Sequence, residues 1–427
     1  MLLEKLDTTK MRFKAISVVI LVASLVSTFS CLAQDRLLFN IMPDTTYRSA
    51  SAAVLVNGGG SFRSNALDNL FMRKLVLGGT IGKDIKENVE GTLRDVNRAG
   101  GSGQASVQTY LFDSFGKKAN WGWTVGASAH VDMGLTFPED LYRVVFEGNA
   151  EFAGQEMEFD RLRSEYMLWE KFSVGLFDKR TMSEVSLSLV GGSDFYRAEV
   201  DRASLYTSQL GDTLVFDYAG DFMLSAPDGS FPAIKGVGAA LDARINLPMA
   251  DEKGYIRIQV SNLGFVNWNS GTEHYQADST WTFQGIEVND LVGDDILNVD
   301  IPTFEDSLSY TQTAGSALTM LPGTIGLSVV RMQTKADYLE FGVQVKTTGM
   351  SHPLVYGSYH YLLDKSTSVF GRVSVGGYGR LRVGAGVEKY WRDWYVSVQT
   401  GDLPGLILND LKGRGAWFTL GRFMKTS

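Results

Sequence analysis

Residues 121–133 read WGWTVGASAHVDM, and the stretch alternates between two kinds of side chain. Apolar residues occupy every second position from Trp121 to Met133, and the positions between them carry Gly, Thr, Ser, His130 and Asp132. Alternation with period two is typical of a β-strand. A globular strand has ~5–6 residues, whereas ~9–11 tilted residues cross a bilayer, so a run of this length suits a membrane strand. The stretch predicts a transmembrane strand with an apolar face toward lipid and a polar face toward a lumen.

The same alternation recurs throughout the second half of the chain, at residues 236–245, 256–261, 339–346, 381–388 and 394–399. We therefore predict an all-β fold: a transmembrane antiparallel β-barrel of about 14 strands with an N-terminal, partly helical, plug-like segment. The polar face of such strands lines a wet lumen. The candidate lumen-facing residues are Thr124, Ser128, His130, Asp132, Asp242, Arg244, Arg382 and Glu388.

The composition of the apolar face separates this prediction from a soluble β-sandwich, which also alternates. A sandwich core favours large interlocking side chains, whereas here Ala and Gly are intermixed. Aromatic residues cluster at predicted strand ends, as in the girdles of membrane barrels at the two bilayer interfaces. The aromatic residues concerned are Trp121, Trp123, Tyr390, Trp391, Trp394 and Trp417.

The N-terminus reads as an export signal. Arg12 and Lys14 precede an apolar run, and small residues precede a plausible cleavage site after residue 33, so residues 1–33 are predicted to be a signal peptide with a possible true start at Met11. A membrane anchor is the alternative, but the run is shorter than the ~20 residues of a spanning helix. We expect export to the bacterial outer membrane, where the lipid bilayer is the first partner.

Charge and cysteine content exclude two further classes. The chain has net charge −8, and loss of residues 1–33 removes four basic and two acidic residues, which leaves −10. Nucleic-acid binders present basic surfaces, so no nucleic-acid partner is expected. The only cysteine, Cys31, lies in the signal, which excludes a disulfide scaffold.

Two stretches interrupt the β pattern. Ile85, Val89, Leu93 and Val96 recur at helical spacing within residues 83–97, and we interpret them as a candidate hatch. A shorter helix is predicted at residues 138–146, and long polar loops at residues 201–214, 268–280 and 289–316. The predicted organisation is a signal (1–33), an N-terminal segment with the first strand and the hatch (34–103), and the barrel (104–427).

The sequence nominates no catalytic residue, metal ligand set or cofactor, and we do not expect an enzyme. Residues 78–83 approach a phosphate loop, but Leu77 and Asp84 occupy positions that its glycine and hydroxyl residue require. No G-x-S-x-G motif occurs. Acidic pairs at 294–295 and 305–306 are more simply solvated loop residues than calcium ligands. The histidines lie far apart, at His130, His274, His352 and His360.

Several short motifs occur together in a characteristic order. They are residues 140–142 (DLY), 146–154 (FEGNAEFAG), 165–166 (EY), 171–175 (KFSVG), 236–238 (GVG), 241–242 (LD), 262–268 (NLGFVNW) and 321–322 (LP). With these motifs the chain resembles a family of uncharacterised outer-membrane proteins from Bacteroidota. It departs from the family in residues 47–53, which replace the usual Asn-Pro-Ala-like segment.

The resemblance implies a barrel similar to the long-chain fatty-acid transporter and to the shuttle barrel of the type IX secretion system, with an N-terminal segment able to plug the lumen. It implies no catalytic residues. The leading hypothesis is passage or binding of a small hydrophobic molecule. The alternative is a non-transporting envelope scaffold or secretion accessory that binds other envelope proteins through long loops, and a third reading is a soluble exported β-protein.

Overall fold

The computed structural model describes residues 50–115, 120–226, 233–284 and 309–425, so the predicted signal peptide lies outside the described residues. The α-helices in this part are α1 (Asn69–Leu77), α2 (Lys83–Glu90), α3 (Glu139–Glu147) and α4 (Leu403–Ile407). None of the described helices is long and apolar enough to cross a membrane.

Antiparallel strands make up most of the described chain. They are β1 (Ala50–Ser64), β2 (Asn97–Leu111), β3 (Trp121–Phe137), β4 (Glu156–Glu158), β5 (Arg163–Asp178), β6 (Glu184–Thr207), β7 (Leu214–Leu224), β8 (Gly236–Pro248), β9 (Gly254–Trp268), β10 (Glu273–Phe283), β11 (Tyr310–Ala314), β12 (Ala317–Met320), β13 (Thr324–Met332), β14 (Asp337–Lys346), β15 (His352–Asp364), β16 (Thr367–Gly377), β17 (Arg382–Trp391), β18 (Trp394–Thr400) and β19 (Gly413–Lys425).

Fourteen of these strands close into a barrel, which confirms the predicted fold. Around the ring the order is β1, β2, β3, β5, β6, β8, β9, β13 and then β14 to β19 in sequence. The short strand β12 also pairs with β9, next to the stretch of β9 that pairs with β13. Closure is made by β1, which pairs with β2 on one side and β19 on the other. A closed ring leaves no edge strand and satisfies every strand backbone group internally.

The two faces of the barrel wall differ as the alternation requires. Along β3, Trp121 and Trp123 are exposed on the outer surface, and Thr124, His130 and Asp132 are buried inside. The outer surface of the other strands is likewise rich in exposed Leu, Val, Ile and Phe. In water such a surface would be unstable, and it is the surface that hydrocarbon solvates.

The two ends of the barrel are unlike. At one end the connections are short, such as residues 365–366 between β15 and β16, and both described termini lie there. At the other end they are long, such as residues 65–96 between β1 and β2. The exposed tryptophans Trp121, Trp123, Trp391 and Trp394 cluster at the short-turn end. Tyr390 and Trp417 were predicted to join this girdle, but both are buried, because their positions in the alternation point inward.

Beyond the long-loop end, part of the sheet continues as an extension. The first half of β6 pairs with β8 in the barrel, and its second half, from Tyr196 to Thr207, pairs with β7. β10 pairs with β7, β11 pairs with β10, and β4 pairs with the tip of β6. The predicted loops at 201–214 and 268–280 are therefore largely strands, because their polar residues alternate with apolar ones on a sheet that has one solvated face.

A helical cap covers another part of the same end. Phe71 of α1, Ile85 and Val89 of α2, and Tyr142 of α3 are buried in one apolar cluster with the barrel residue Phe137. Asp68 starts α1 by accepting the Phe71 N–H at 2.7 Å. We name this cluster the cap.

Two boundaries differ from the predicted ones. The predicted 83–97 helix ends at Glu90, because Gly91 closes it with its N–H on Glu87 and Asn97 then bonds back to the backbone of Arg94. The boundary between 103 and 104 falls inside β2, and β1 is needed to close the ring. Residues 50–103 are thus part of the barrel and of its long-loop end, not a separate unit.

Candidate functional site

The structure places the eight predicted lumen-facing residues on the inner side of the barrel wall. Six are buried, and Ser128 and Asp242 are half-buried. A polar cavity of about 150 Å³, large enough to hold several water molecules, lies within the barrel. Five of the eight residues line it: Ser128, His130, Asp242, Arg244 and Glu388. The remaining three, Thr124, Asp132 and Arg382, lie elsewhere along the lumen.

Ion pairs and hydrogen bonds occupy the wall of this cavity. Lys171 Nζ donates to Asp242 Oδ2 at 2.7 Å and to Asn262 Oδ1 at 2.6 Å. Arg244 Nη2 donates to Glu184 Oε2 at 3.1 Å. Charges in a partly dehydrated lumen need such partners, because a buried unpaired charge is costly. The cavity is therefore a hydrated polar space and is poorly suited to an apolar molecule.

One ion pair crosses the lumen. Lys346 Nζ on β14 donates to Asp132 Oδ2 on β3 at 2.5 Å. These strands are the ninth and third of the 14 in the ring, so the two side chains approach from nearly opposite walls. The lumen is closed to a wide passage at this depth.

Loops from the β14–β17 wall also reach across the lumen. A Cβ added at Gly134 of β3 would lie 2.6 Å from Met350 Cε and 2.7 Å from Tyr378 Oη, and one added at Gly100 of β2 would meet the Tyr378 ring at 2.3 Å. Only glycine permits contacts this close. These contacts narrow the long-loop end of the lumen on the β2–β3 side.

An apolar layer lies between the polar cavity and the extension. Met167, Trp169, Phe195 and Trp268 are almost fully buried there. Trp169 stacks on His130 at 5.0 Å between ring centroids, so the apolar and polar layers are in direct contact.

A second cavity, which we name the apolar cleft, opens in the extension. It has a volume of about 490 Å³ and lies between the inner face of β6, β7 and β10 and the residues of α3 and the 159–162 segment. Its walls are formed by Leu141, Phe159, Leu162, Tyr196, Val200, Ala203, Phe216, Tyr218, Ala219, Gly220, Phe222, Leu224, Tyr275, Ala277 and Tyr310. Ligand pockets typically measure ~300–1,000 Å³.

Strand register explains why the cleft is open. Gly220 of β7 stands opposite Ala277 of β10, and the pair Phe222–Tyr275 lies two positions away on the same face. Two small residues beside a large aromatic pair leave a gap in the sheet surface. Gly220 has no room for a side chain, because a Cβ there would lie 2.6 Å from the Glu199 carbonyl oxygen.

The opposite face of the same strands is charged. Arg202 Nε donates to Asp217 Oδ2 at 2.6 Å, and its Nη2 donates to Asp278 Oδ1 at 3.0 Å. The hydrogen bonds from Arg202 and Thr280 hold the pKa of Asp217 below its ordinary value. An ionised, exposed network of this kind belongs in water, so the extension stands clear of the hydrocarbon region.

A family model matches residues 48–185 and 179–393, which together span most of the chain. Its description is "Family of unknown function (DUF5723)". The chain belongs to this family. No curated protein has a matching sequence.

Several solved structures are similar to this DUF5723 chain over most of its length. A deletion mutant of the TodX monoaromatic hydrocarbon channel has a TM-score of 0.46 at 8% identity, covering 92% of this chain and 95% of that one. The toluene transporter TodX of P. putida has 0.38 at 9% identity (88% and 90%). The translocator domain of NalP from Neisseria meningitidis has 0.29 at 8% identity (96% and 97%).

The predicted hatch residues of this DUF5723 chain do not form one helical face. Ile85 and Val89 are buried on α2, Leu93 packs against the cap after the helix has ended, and Val96 is half-buried just before β2. They lie between two barrel strands at the long-loop end, so they cover the barrel as part of a loop.

Sequence reasoning missed the apolar cleft. The available signal was the alternation of Phe216, Tyr218, Gly220 and Phe222, which correctly predicts a strand at 214–223. Alternation alone does not distinguish such a strand from one in the barrel wall. Pairing with β10 instead places its apolar face toward α3.

Proposed function

We propose that this protein is an outer-membrane β-barrel that binds a small hydrophobic molecule in the apolar cleft. The carrying observation is the cleft itself: a cavity of about 490 Å³ with an apolar wall, positioned in water beyond the rim of the barrel. Exposed apolar surface is unfavourable in water, and burying a ligand there removes it from solvent.

The membrane location rests on the outer surface of the barrel. Leu187 and Leu189 on β6 and Val237 on the neighbouring β8 all face outward and are each about two-thirds or more exposed. No packed core of this chain covers them in the described structure. Hydrocarbon is the environment in which a continuous outward apolar band is stable.

The cleft favours an apolar ligand because its lining is almost entirely apolar and two of its tyrosine hydroxyls already have partners. The Tyr218 hydroxyl accepts the Ser309 N–H at 3.0 Å, and the Tyr275 hydroxyl donates to Glu273 at 2.7 Å. The aromatic rings remain as the binding surface. A ring compound or an alkyl chain fits this chemistry better than a sugar or an ion.

Binding is better supported than passage. A molecule moving from the cleft along the barrel axis meets the apolar layer of Trp169 and Trp268, the Lys346–Asp132 pair and the polar cavity, which lies deeper than that pair. Transport would require rearrangement of those layers. We therefore propose capture as the first step and treat passage as a consequence that needs its own measurement.

Ala277→Phe tests the proposal, because a phenyl ring at this position in the wall would fill part of the cleft. Gln276→Phe is the matched control, because the neighbouring side chain lies on the opposite, exposed face of β10. The probe is N-phenyl-1-naphthylamine, a neutral fluorophore, titrated into the full-length protein in amphipol with empty amphipol as background. We expect saturable binding that Ala277→Phe weakens at least tenfold and Gln276→Phe changes less than twofold.

Folding of each variant is checked by its gel shift on boiling. Equal affinity of all three proteins would refute the cleft as the site. Absence of saturable binding, together with stable co-purification of other envelope proteins, would instead favour the scaffold that the sequence left open.

A further inference from the structure

The backbones of three separate segments that carry basic residues meet around Ser64 at the long-loop end. Ser64 Oγ donates to the Arg98 carbonyl at 2.8 Å, and the Ser64 N–H donates to the Lys412 carbonyl at 2.9 Å. Gly379 lies close to the same residue, because a Cβ added at Gly379 would be 3.7 Å from the Ser64 carbonyl oxygen. The next residue in the chain is Arg380. Strand ends that are far apart in sequence thus bring Arg98, Arg380 and Lys412 together.

A fourth cation, Arg94, joins this group. Arg380 Nη2 donates to the Thr92 carbonyl at 3.2 Å, which fixes the β16–β17 loop against the segment that carries Arg94. Burial and the nearby Arg380 lower the pKa of Lys412 to about 8. Burial and Arg94 likewise lower the pKa of Arg380. The like charges are close enough to disfavour one another.

A buried guanidinium lies beneath the group. Arg382 is 8% exposed, and its side chain runs along Gly379, with Cδ 3.7 Å from the Cβ position of that glycine. Its Nη2 donates to the Gly376 carbonyl at 3.1 Å. Its Nε has no hydrogen-bond partner among the described residues. A buried donor without an acceptor is costly, and a bound anion would satisfy it.

The nearby carboxylates are already engaged. Asp402 accepts from Arg63 Nε at 2.9 Å. Asp68 accepts from the Phe71 N–H at 2.7 Å and from Asn88 Nδ2 at 2.8 Å. In the described part of the chain, neither Arg94 nor Arg98 forms an ion pair. This excess of positive charge is notable in a protein whose net charge is −8.

We propose that Arg94, Arg98, Arg380 and Lys412, with Arg382 beneath them, form a site for a phosphate group. Guanidinium groups bind phosphate oxygens through paired, charge-assisted hydrogen bonds, and several cations together match its multiple charge. The phosphate is carried either by a free phosphorylated compound or by a lipid headgroup at the membrane surface. The site is separate from the apolar cleft and does not depend on it.

The double variant Arg94→Gln/Arg98→Gln tests the site, because these side chains make no hydrogen bond or ion pair within the described residues. Lys335→Gln/Lys365→Gln is the control, since it removes the same charge from exposed loops at the short-turn end. Full-length protein in dodecyl maltoside is titrated with pyrophosphate by equilibrium dialysis. A second arm measures phosphatidic acid retained from mixed micelles.

We expect saturable binding of at least one probe, an affinity at least tenfold weaker in Arg94→Gln/Arg98→Gln, and a change below twofold in the control. Binding of pyrophosphate identifies a free phosphate ligand, and retention of phosphatidic acid alone identifies a headgroup. The gel shift on boiling verifies that all variants are folded. The proposal is overturned if neither probe binds the wild-type protein, or if both double variants behave alike.

Discussion

Replacing Leu187 with arginine should strongly destabilise the barrel in a bilayer. Leu187 is 68% exposed and lies between Val185 and Leu189 in an outward row on β6. Its cross-strand neighbours are Val174 on β5 and Leu241 on β8. The residue therefore sits inside an apolar patch that spans three strands, where lipid tails are the expected neighbours.

The magnitude combines two contributions. Full burial of a leucine side chain contributes about 1.5–3 kcal/mol. With 68% of Leu187 facing outward, loss of its contact with lipid costs about 1–2 kcal/mol. An arginine near the bilayer midplane adds about 2–4 kcal/mol. We expect Leu187→Arg to lower the free energy of unfolding by about 3–6 kcal/mol.

Urea unfolding from phosphatidylcholine liposomes, followed by tryptophan fluorescence, measures this cost. Leu187→Ala isolates the lost contact and should cost about 1–2 kcal/mol. Ser128→Arg places the same charge beside the polar cavity, where water can reach it, and should cost clearly less than Leu187→Arg. The reasoning fails if Ser128→Arg costs as much as Leu187→Arg, because the two faces of the wall would then share one environment.

Three further outcomes are expected. Asp132→Ala leaves Lys346 without its partner in the lumen and should lower the free energy of unfolding by about 3–5 kcal/mol in the liposome assay. Adding Lys346→Met should restore most of this loss. A double variant as unstable as the single variant would contradict the proposed ion pair. Phe71→Ala opens a void in the cap and should lower its stability by about 3–5 kcal/mol. Trypsin should then cleave residues 65–96 faster while the barrel stays folded. An unchanged rate of cleavage would contradict this expectation. Because the folded protein holds the pKa of Lys412 near 8, below the ~10.4 of a free lysine, stability should rise with pH between these values. Thermal unfolding of Lys412→Met should lack that rise, and an identical pH profile would count against it.

The inside and outside of the barrel could be predicted from sequence because they depend on local alternation. A strand has one side chain per face every two residues, so the pattern of Trp121 to Met133 separates lipid from lumen without knowledge of any partner strand. The same logic placed Asp132 and His130 inside.

The extension and its cleft could not be predicted, because they depend on pairing between distant segments. β6 and β7 alternate like barrel strands, and only the change of partner after Gly192 shows that the sheet leaves the ring. The gap in the cleft arises from the register of Gly220 with Ala277, residues that lie far apart in sequence.

The helix predicted at residues 83–97 is shorter than its apolar spacing indicates, for a local reason that sequence periodicity does not weigh. Ile85 and Val89 occupy a helix as their spacing indicates, but the backbone turns at Gly91 and at the hydrogen bonds between Asn97 and Arg94. Apolar spacing continues past the point where hydrogen bonding ends the helix.

The most direct test of the membrane barrel is electrophoresis of the purified protein after refolding into liposomes. Unboiled protein should migrate differently from boiled protein and should resist protease across the barrel strands. Protein that remains monomeric in detergent-free buffer, with no shift on boiling, would contradict the account.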